Sequence, residues 1–507
     1  MSVDIGAYTS LSDRKHLDAF SDALRQSLVQ ARLCGNTVIA CCSLPLTATT
    51  CDLRALFAVA DVYEARWYWS DPDTHKRWCA LGSAAIQEYD SLRPVSEAAQ
   101  ALADLTSRVI GFGDAVPHWL AGFAFDPEHP RDELWRDWSN GLLMLPRFVI
   151  EQRPEHETMV TVCVEVQPHT DTESQRDRLM DELIRALDRS RTGTMRTGAT
   201  RRDRWMRDDA SDDRRLLAAA EEDRNREQAG AASLSLPSTQ AVWTDATLSV
   251  EGDIRQGLYE KVVLARRERV SVQAFARLPQ TLQDLETRYG DGVVFAVARG
   301  SQVFAGATPE RLVQTGNGAV SIDCLAGTAP RGVTPDEDAT MADMLFASHK
   351  NREEHSFVLR GILGDIAGSV EAVQFPEEPT VRKLANVQHL YTPVRGQLSS
   401  GMSILDVVAR LHPTPAVAGS PKQTALQIIR ERERMDRGWY AGPLGWIDGE
   451  GNGMFVVTLR SALMDENGAD LFAGAGIVAG SEPLAEWQET EWKMRPMRVA
   501  LGQELMK

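Results

Sequence analysis

The chain is short of the features that mark membrane, secreted and nucleic-acid-binding proteins. No hydrophobic run approaches the ~20 residues that cross a bilayer, so no membrane partner is expected. Only seven cysteines occur in 507 residues: Cys34, Cys41, Cys42, Cys51, Cys79, Cys163 and Cys324. They are odd in number and show no C-x-x-C spacing, which argues against a zinc site and a disulfide framework and fits reduced thiols. The first residues, MSVDIGAYTSLSDRKH, carry an early Asp and no basic-then-apolar signal pattern, so a cytoplasmic protein is expected. Positive charge is scarce as well: 55 Lys and Arg stand against 72 Asp and Glu, a net charge of −17. An acidic surface disfavours nucleic acid and anionic membranes as partners. It also requires any anionic small molecule to find a locally positive pocket. No internal repeat of solenoid length is present.

What is present is an ordinary soluble composition, 43% hydrophobic and 25% charged, with ample material for a core. The length exceeds the ~150 residues of one typical domain, although large mixed-sheet enzymes run as one body. Residues 14–34 are patterned as an amphipathic helix, and 37–42, 64–70, 119–125, 142–150 and 158–167 as strands, with another helix at about 95–109. From 171 to 237 Arg, Asp and Glu dominate, and the segment is expected to be a mobile charged insertion with one or two exposed helices. The region 238–507 is expected to carry the chemistry, and 1–170 to form the other half of the same body. Within 238–507, strands are expected at 259–269, 292–298, 302–307, 453–464 and 470–478. Helices are expected at 246–257, 336–367, 421–434 and 483–506. Strands joined by long connections, with helices interspersed, predict an α+β fold of large mixed, mainly antiparallel β-sheets packed together and flanked by helices.

Several polar residues stand at positions that suit a site. Glu354 lies in KNREEH on the helix expected at 336–367, and Glu486, Glu489 and Lys493 form an i, i+3, i+7 stripe on the last helix. Taken singly each stripe is a solvated helix face. Carboxylates from two helices are also the hard oxygen donors that Mg²⁺ takes, together with water and an anionic substrate group. Lys261 begins a β-branched run at a strand mouth, where desolvation would make a lysine a base. Glu310 sits in the tight turn GATPERL. Gly327 and Thr328 in LAGTAPRG, and Gly474 and Gly476 in FAGAGIVAG, leave backbone amides open to a carboxylate. Arg460 is a natural bidentate partner for a carboxylate. His412 precedes Pro413-Thr414-Pro415, a setting in which a lone histidine is more often structural.

The order of KVVLAR, GATPERL, LAGTAPRG, KNREEH, NVQHLYTP, LHPTPAVAG, RGWYAGPLGW, LRSAL, FAGAGIVAG and EWQETEWK resembles the isochorismate synthases among the chorismate-utilising enzymes, across 250–507. WYWSDPD, AGFAFDP and LMLPR resemble that family's N-terminal half. The resemblance implies chorismate as substrate, with its ring carboxylate on Mg²⁺ held by Glu354 and Glu489 and supported by Glu486. It implies Lys261 as the general base on water attacking ring C2, and protonated Glu310 as the general acid on the departing C4 hydroxyl. Thr328, Gly327, His412, Tyr440, Arg460, Gly474, Gly476 and Lys493 are the implied substrate-binding residues. Lys261 and the HPTPA form of the 412–416 loop favour water over ammonia as nucleophile, so no glutamine amidotransferase subunit is expected; a monomer is. The alternatives are a salicylate synthase, which would also eliminate pyruvate, and a silent chorismate-binding homologue. A docking role for 171–230 is a third. Two departures stand out: Asn351 where the family commonly has Asp, and Met454 where relatives often carry an acid. The pathway fed by the product, whether menaquinone, catechol siderophore or salicylate, is left open.

Overall fold

The structure, a computed structural model, describes residues 14–46, 51–153, 158–192, 239–384 and 387–503. Among these residues twenty strands join in one continuous hydrogen-bonded sheet. The pairings are antiparallel throughout, save that Val38–Leu46 runs parallel to Val109–Phe112. The sheet turns back on itself at the strand Gly141–Gln152. The first half of that strand pairs with His118–Phe123, with Met144 opposite Leu120, and its second half with Thr158–Val166, with Phe148 opposite Val162. Lys76–Tyr89 runs along its full length.

One layer continues through Ala65–Asp71, Val293–Arg299, Gln302–Thr308, Ser461–Asp465 and Gly468–Ile477 to Lys261–Val270. The other continues from His118–Phe123 through Pro443–Asp448, Gly453–Val457, Arg311–Gly316 and Ala319–Pro330 to Val387–Leu398. Period-two alternation decides which face each side chain takes. Trp67 and Trp69 join Trp119, Trp135, Trp138 and Trp439 in the core shared by both layers. Tyr68, between them in sequence, joins Phe20, Phe57, Leu183 and Met494 in a second core that the first layer makes with helices. The expected α+β architecture of large, mainly antiparallel sheets flanked by helices is therefore present.

Three local expectations are corrected. The helix expected over 336–367 is two helices, Pro335–Ala347 and His349–Asp365, broken at Ser348. Ser348 is extended (φ −68°, ψ 113°) and its hydroxyl caps the second helix by accepting from the Asn351 amide. The strand expected over 453–464 is also two, Gly453–Val457 and Ser461–Asp465, which belong to different layers. Arg460 stands in the break between them with φ +50°. Lastly, the charged segment from 171 begins as a helix, Thr172–Thr192, that belongs to the folded body, with Leu179, Leu183 and Leu187 buried in the second core. The rest of that expected insertion, 193–237, lies outside the described residues.

Candidate active site

The chemistry-bearing residues converge on one cavity of about 120 Å³ at the rim between the two layers. Lys261 reaches it from the first residue of its strand, held between Ser420 on one side and the Gly468–Ile477 strand on the other. Glu310 reaches it from the turn after Gln302–Thr308. That turn is fixed because Thr308 Oγ1 donates to the Val457 carbonyl at 2.5 Å, while the Val457 amide donates to the Glu310 carbonyl at 3.0 Å. Arg460 lines the cavity from the break between layers, and Tyr440 from beside Phe472, on which its ring stacks at 5.2 Å.

Glu354 is carried by the second helix of the broken pair. Its neighbour His355 anchors that helix to the sheet: ring Nδ1 lies 3.3 Å from the Ala326 carbonyl and Nε2 lies 2.8 Å from Thr392 Oγ1. Burial lowers the pKa of His355, so the neutral ring donates from Nδ1 and accepts the Thr392 hydroxyl proton at Nε2. Gly327, at φ +74° in a bulge of the Ala319–Pro330 strand, lies against Asn351, which a methyl group would approach to 3.1 Å. Glu489 and Lys493 come from the final helix, Pro483–Ala500. That helix is locked to the Lys261 strand by Arg266, which stacks 3.7 Å over Trp487 and donates to Thr490 Oγ1 at 2.7 Å.

Charge in the cavity is arranged in pairs. Lys261 Nζ lies 2.6 Å from Glu354 Oε1, and Lys493 Nζ lies 2.6 Å from Glu489 Oε1 and 2.8 Å from the Gly474 carbonyl. Burial works to raise both carboxyl groups, but the adjoining lysines outweigh it and hold both below the ordinary range. Glu310 goes the other way: burial, reinforced by Asp323, prevails over Lys261, Lys493 and Arg460 and pushes it up to about 7. It thus carries a proton for much of the time near neutrality, as a general acid must. Arg460 makes no side-chain hydrogen bond or ion pair among the described residues, and burial lowers its pKa.

Of the residues singled out in the sequence, Lys261, Glu310, Gly327, Thr328, Glu354, Tyr440, Arg460, Gly474, Gly476, Glu489 and Lys493 all line this one cavity. Two expected members do not line it. His412 instead sends Nε2 to the Phe125 carbonyl at 3.0 Å and packs edge-on against the Phe125 ring. Glu486 lies one turn before Glu489 on the final helix, outside the lining. The Gly474 carbonyl accepts from the Lys493 ammonium.

Two residues were missed. His389 lines the cavity, with Nδ1 3.0 Å from Thr328 Oγ1, and burial beside Arg460 and Lys493 pushes it down to about 4. Its signal was its place in NVQHLYTP. Arg437, in RGWYAGPLGW, lines the wall while neutralised by buried Glu433, and donates to the Val263 and Val417 carbonyls at 2.8 and 2.9 Å.

The donor set suits Mg²⁺ in part. Glu354 and Glu489 share one cavity and lie near enough that the charge of Glu354 opposes ionisation of Glu489. Two hard carboxylates, with water and substrate oxygens completing the shell, is a usual Mg²⁺ arrangement. Among the described residues no group of three or more His, Cys, Asp or Glu converges as a ready-made cage.

Fold and site together define an α+β protein whose cavity brings four cations, Lys261, Arg437, Arg460 and Lys493, together with three carboxyl groups, Glu310, Glu354 and Glu489. The fold is shared with the menaquinone-specific isochorismate synthase MenF from Escherichia coli, at a TM-score of 0.70 and 22% identity over 95% of this chain and 100% of that one. In sequence, the isochorismate synthase MenF of Bacillus subtilis is 33% identical over 454 residues, covering 87% of this chain and 88% of that protein. The salicylate biosynthesis isochorismate synthase of Pseudomonas aeruginosa is 38% identical over 391 residues, covering 77% and 75%. The sequence model of the chorismate-binding enzymes matches residues 26–212 and 191–502. The chain belongs to the chorismate-binding enzyme family.

Proposed function

We propose that this chain is an isochorismate synthase, an isomerase that interconverts chorismate and isochorismate in the presence of Mg²⁺. The observation that carries the reading is the pairing of opposite roles in one cavity: a carboxyl group, Glu310, pushed up to about 7, and a buried lysine, Lys261. Relatives bearing the name isochorismate synthase, with long coverage, support the same activity.

In this reading water adds at ring C2, its proton passing to the Lys261 side chain in its neutral amine form. The C4 hydroxyl leaves as water after taking the Glu310 proton, and the ring double bonds shift between the two carbons. Each positioned proton transfer contributes ~10²–10⁴-fold. Arg460 and Lys493 hold the substrate carboxylates, with Tyr440 and Thr328 as hydroxyl partners. Neutral His389 offers a hydrogen bond without a further charge. Glu354 and Glu489 hold the metal ion, which when bound neutralises the ring carboxylate and draws electron density from the ring.

Incubation of the purified chain with chorismate and Mg²⁺, with and without EDTA, followed by chromatography, tests this. Isochorismate formed only without EDTA is the expected result. Salicylate with pyruvate would replace it with the salicylate synthase reading, and no conversion in either condition would overturn the enzymatic claim.

A further inference from the structure

The strand that begins at Lys261 is held very differently at its two edges. On one edge Lys261–Val270 pairs with Gly468–Ile477, from Val262 opposite Ile477 to Val270 opposite Ala469. On the other it meets only Gly419–Ser420, with Ser420 opposite Lys261 and Gly419 opposite Val262. The Val263 amide adds one bond to the Ala418 carbonyl at 2.8 Å, and strand pairing on that edge then stops among the described residues. The strand is still buried there, at Val263, Leu264 and Ala265. Residues two apart turn their backbone groups to the same edge, so the Val263 carbonyl and the Ala265 amide both face the gap. Buried groups of this kind need partners.

An ion pair fills the gap. Glu433 Oε1 accepts from the Ala265 amide at 2.7 Å, and Arg437 Nη2 donates to the Val263 carbonyl at 2.8 Å. The two side chains, 2% and 3% exposed, are joined to each other twice, through Nε and Oε2 at 2.8 Å and through Nη2 and Oε1. Together they offer the strand one acceptor and one donor, as a neighbouring strand would. Arg437 Nη1 donates in addition to the Val417 carbonyl at 2.9 Å, and the Phe125 ring centre lies 4.1 Å from the guanidinium carbon. The Tyr440 amide donates to the Arg437 carbonyl at 2.9 Å. One rigid fork therefore spaces three parts of the cavity wall: the Lys261 strand, Val417 and the turn that carries Tyr440. A buried ion pair is a weak source of stability in itself. Apolar side chains would fill the same volume, but they would leave both backbone groups unpaired.

We propose that Glu433 and Arg437 are positioning residues for Lys261, standing in for the missing strand and fixing where the amine sits in the cavity. Lys261 is the first residue of its strand, and the ends of elements open first, so the edge closest to it is where a clamp has most effect. The inference rests on Lys261 as the base.

The test compares the full chain with Glu433→Leu/Arg437→Met, which removes both charges and both partners of the strand, and with Arg437→Lys, which keeps the charge pair and loses the fork. Amide hydrogen exchange followed by mass spectrometry is expected to rise about tenfold over 261–266 in the double variant, with 468–477 unchanged. With chorismate and Mg²⁺ saturating, kcat is expected to fall by about 10²-fold in the double variant and by about tenfold in Arg437→Lys, with kcat/KM falling in step and KM nearly constant. Circular dichroism checks folding, and should the double variant fail to fold, Arg437→Lys decides. A folded variant with unchanged kcat would overturn the proposal, as would unchanged exchange over 261–266 in the double variant. A raised KM at unchanged kcat would make Arg437 a substrate ligand instead and overturn it too. Lys261→Met is assayed alongside. Full turnover by that variant would remove the base reading and the inference with it, whereas its inactivity beside unchanged kcat in the Arg437 variants would remove the inference alone.

Discussion

The α-carbon of Gly476 sits so close to the Lys261 side chain that a methyl group there would lie 2.9 Å from Lys261 Cε and 3.4 Å from Nζ. Gly476 is thus less an amide donor than the floor on which the proposed base rests. Gly476→Ala is expected to displace the Lys261 amine and its Glu354 partner. Misplacing a reacting group by about 1 Å costs on the order of 10²-fold, so kcat for isochorismate formation is expected to fall by that much with the fold intact. An alanine variant of unchanged kcat would show that the amine position is not critical.

Glu310 supplies a pH dependence whose sign is fixed by its role. Burial pushes its pKa up to about 7; below that value it keeps the proton that a general acid donates, and above it loses it. The kcat/KM profile is expected to fall on the alkaline side through about pH 7. Glu310→Gln is expected to lower kcat by roughly 10²–10⁴-fold and to abolish that limb, while chorismate still binds. A variant that retains the limb would assign it to another group.

His412 is expected to matter for stability and not for the substrate. Its Nε2–H donates to the Phe125 carbonyl, and burial pushes its pKa down to about 3, so the ring is neutral at working pH. His412→Ala leaves that carbonyl unpaired, at a cost of roughly 1–3 kcal/mol, visible as a lower Tm. The KM for chorismate is expected to change little. A large rise in KM at unchanged Tm would return His412 to the substrate site.

Asn351 occupies the third position of the helix His349–Asp365, its Nδ2 donating to Ser348 Oγ at 2.9 Å, and it is absent from the cavity lining. An acid there would complement the positive end of the helix. Asn351→Asp is expected to raise stability by roughly 0.3–1 kcal/mol and to leave kcat within about twofold, as thermal melts and initial rates will register. A large gain in activity would instead connect this position to the metal.

Met454 follows the same logic of position. It is fully buried in the core between the layers, opposite Trp446 and Gln314 in the ladder, and an apolar side chain is what that place demands. Its departure from the family pattern leaves the cavity untouched.

The sequence alone determined the strands and helices whose apolar spacing is regular, and most of the charged residues that meet in the cavity. Lys261, Glu310 and Arg460 were legible at strand ends and a tight turn, and Glu354 and Glu489 from polar positions on helices within motifs that resemble the isochorismate synthases. Tertiary structure decided the rest. Helical periodicity runs unbroken through Ser348, whereas the helix does not, because the Ser348 hydroxyl meets the Asn351 amide and a second axis begins. Apolar spacing likewise runs from Gly453 to Met464, but the chain crosses between layers at Arg460, and only strand pairing reveals it. His412 and His389 look equally plausible in one dimension. Which of them meets the cavity depends on contacts with residues far away in the chain, Phe125 for one and Thr328 for the other. The partners of the carboxylates were beyond the sequence for the same reason. A helix position puts Glu354 on a face, but only the packing of helix against strand brings Lys261, 93 residues away, within 2.6 Å of it.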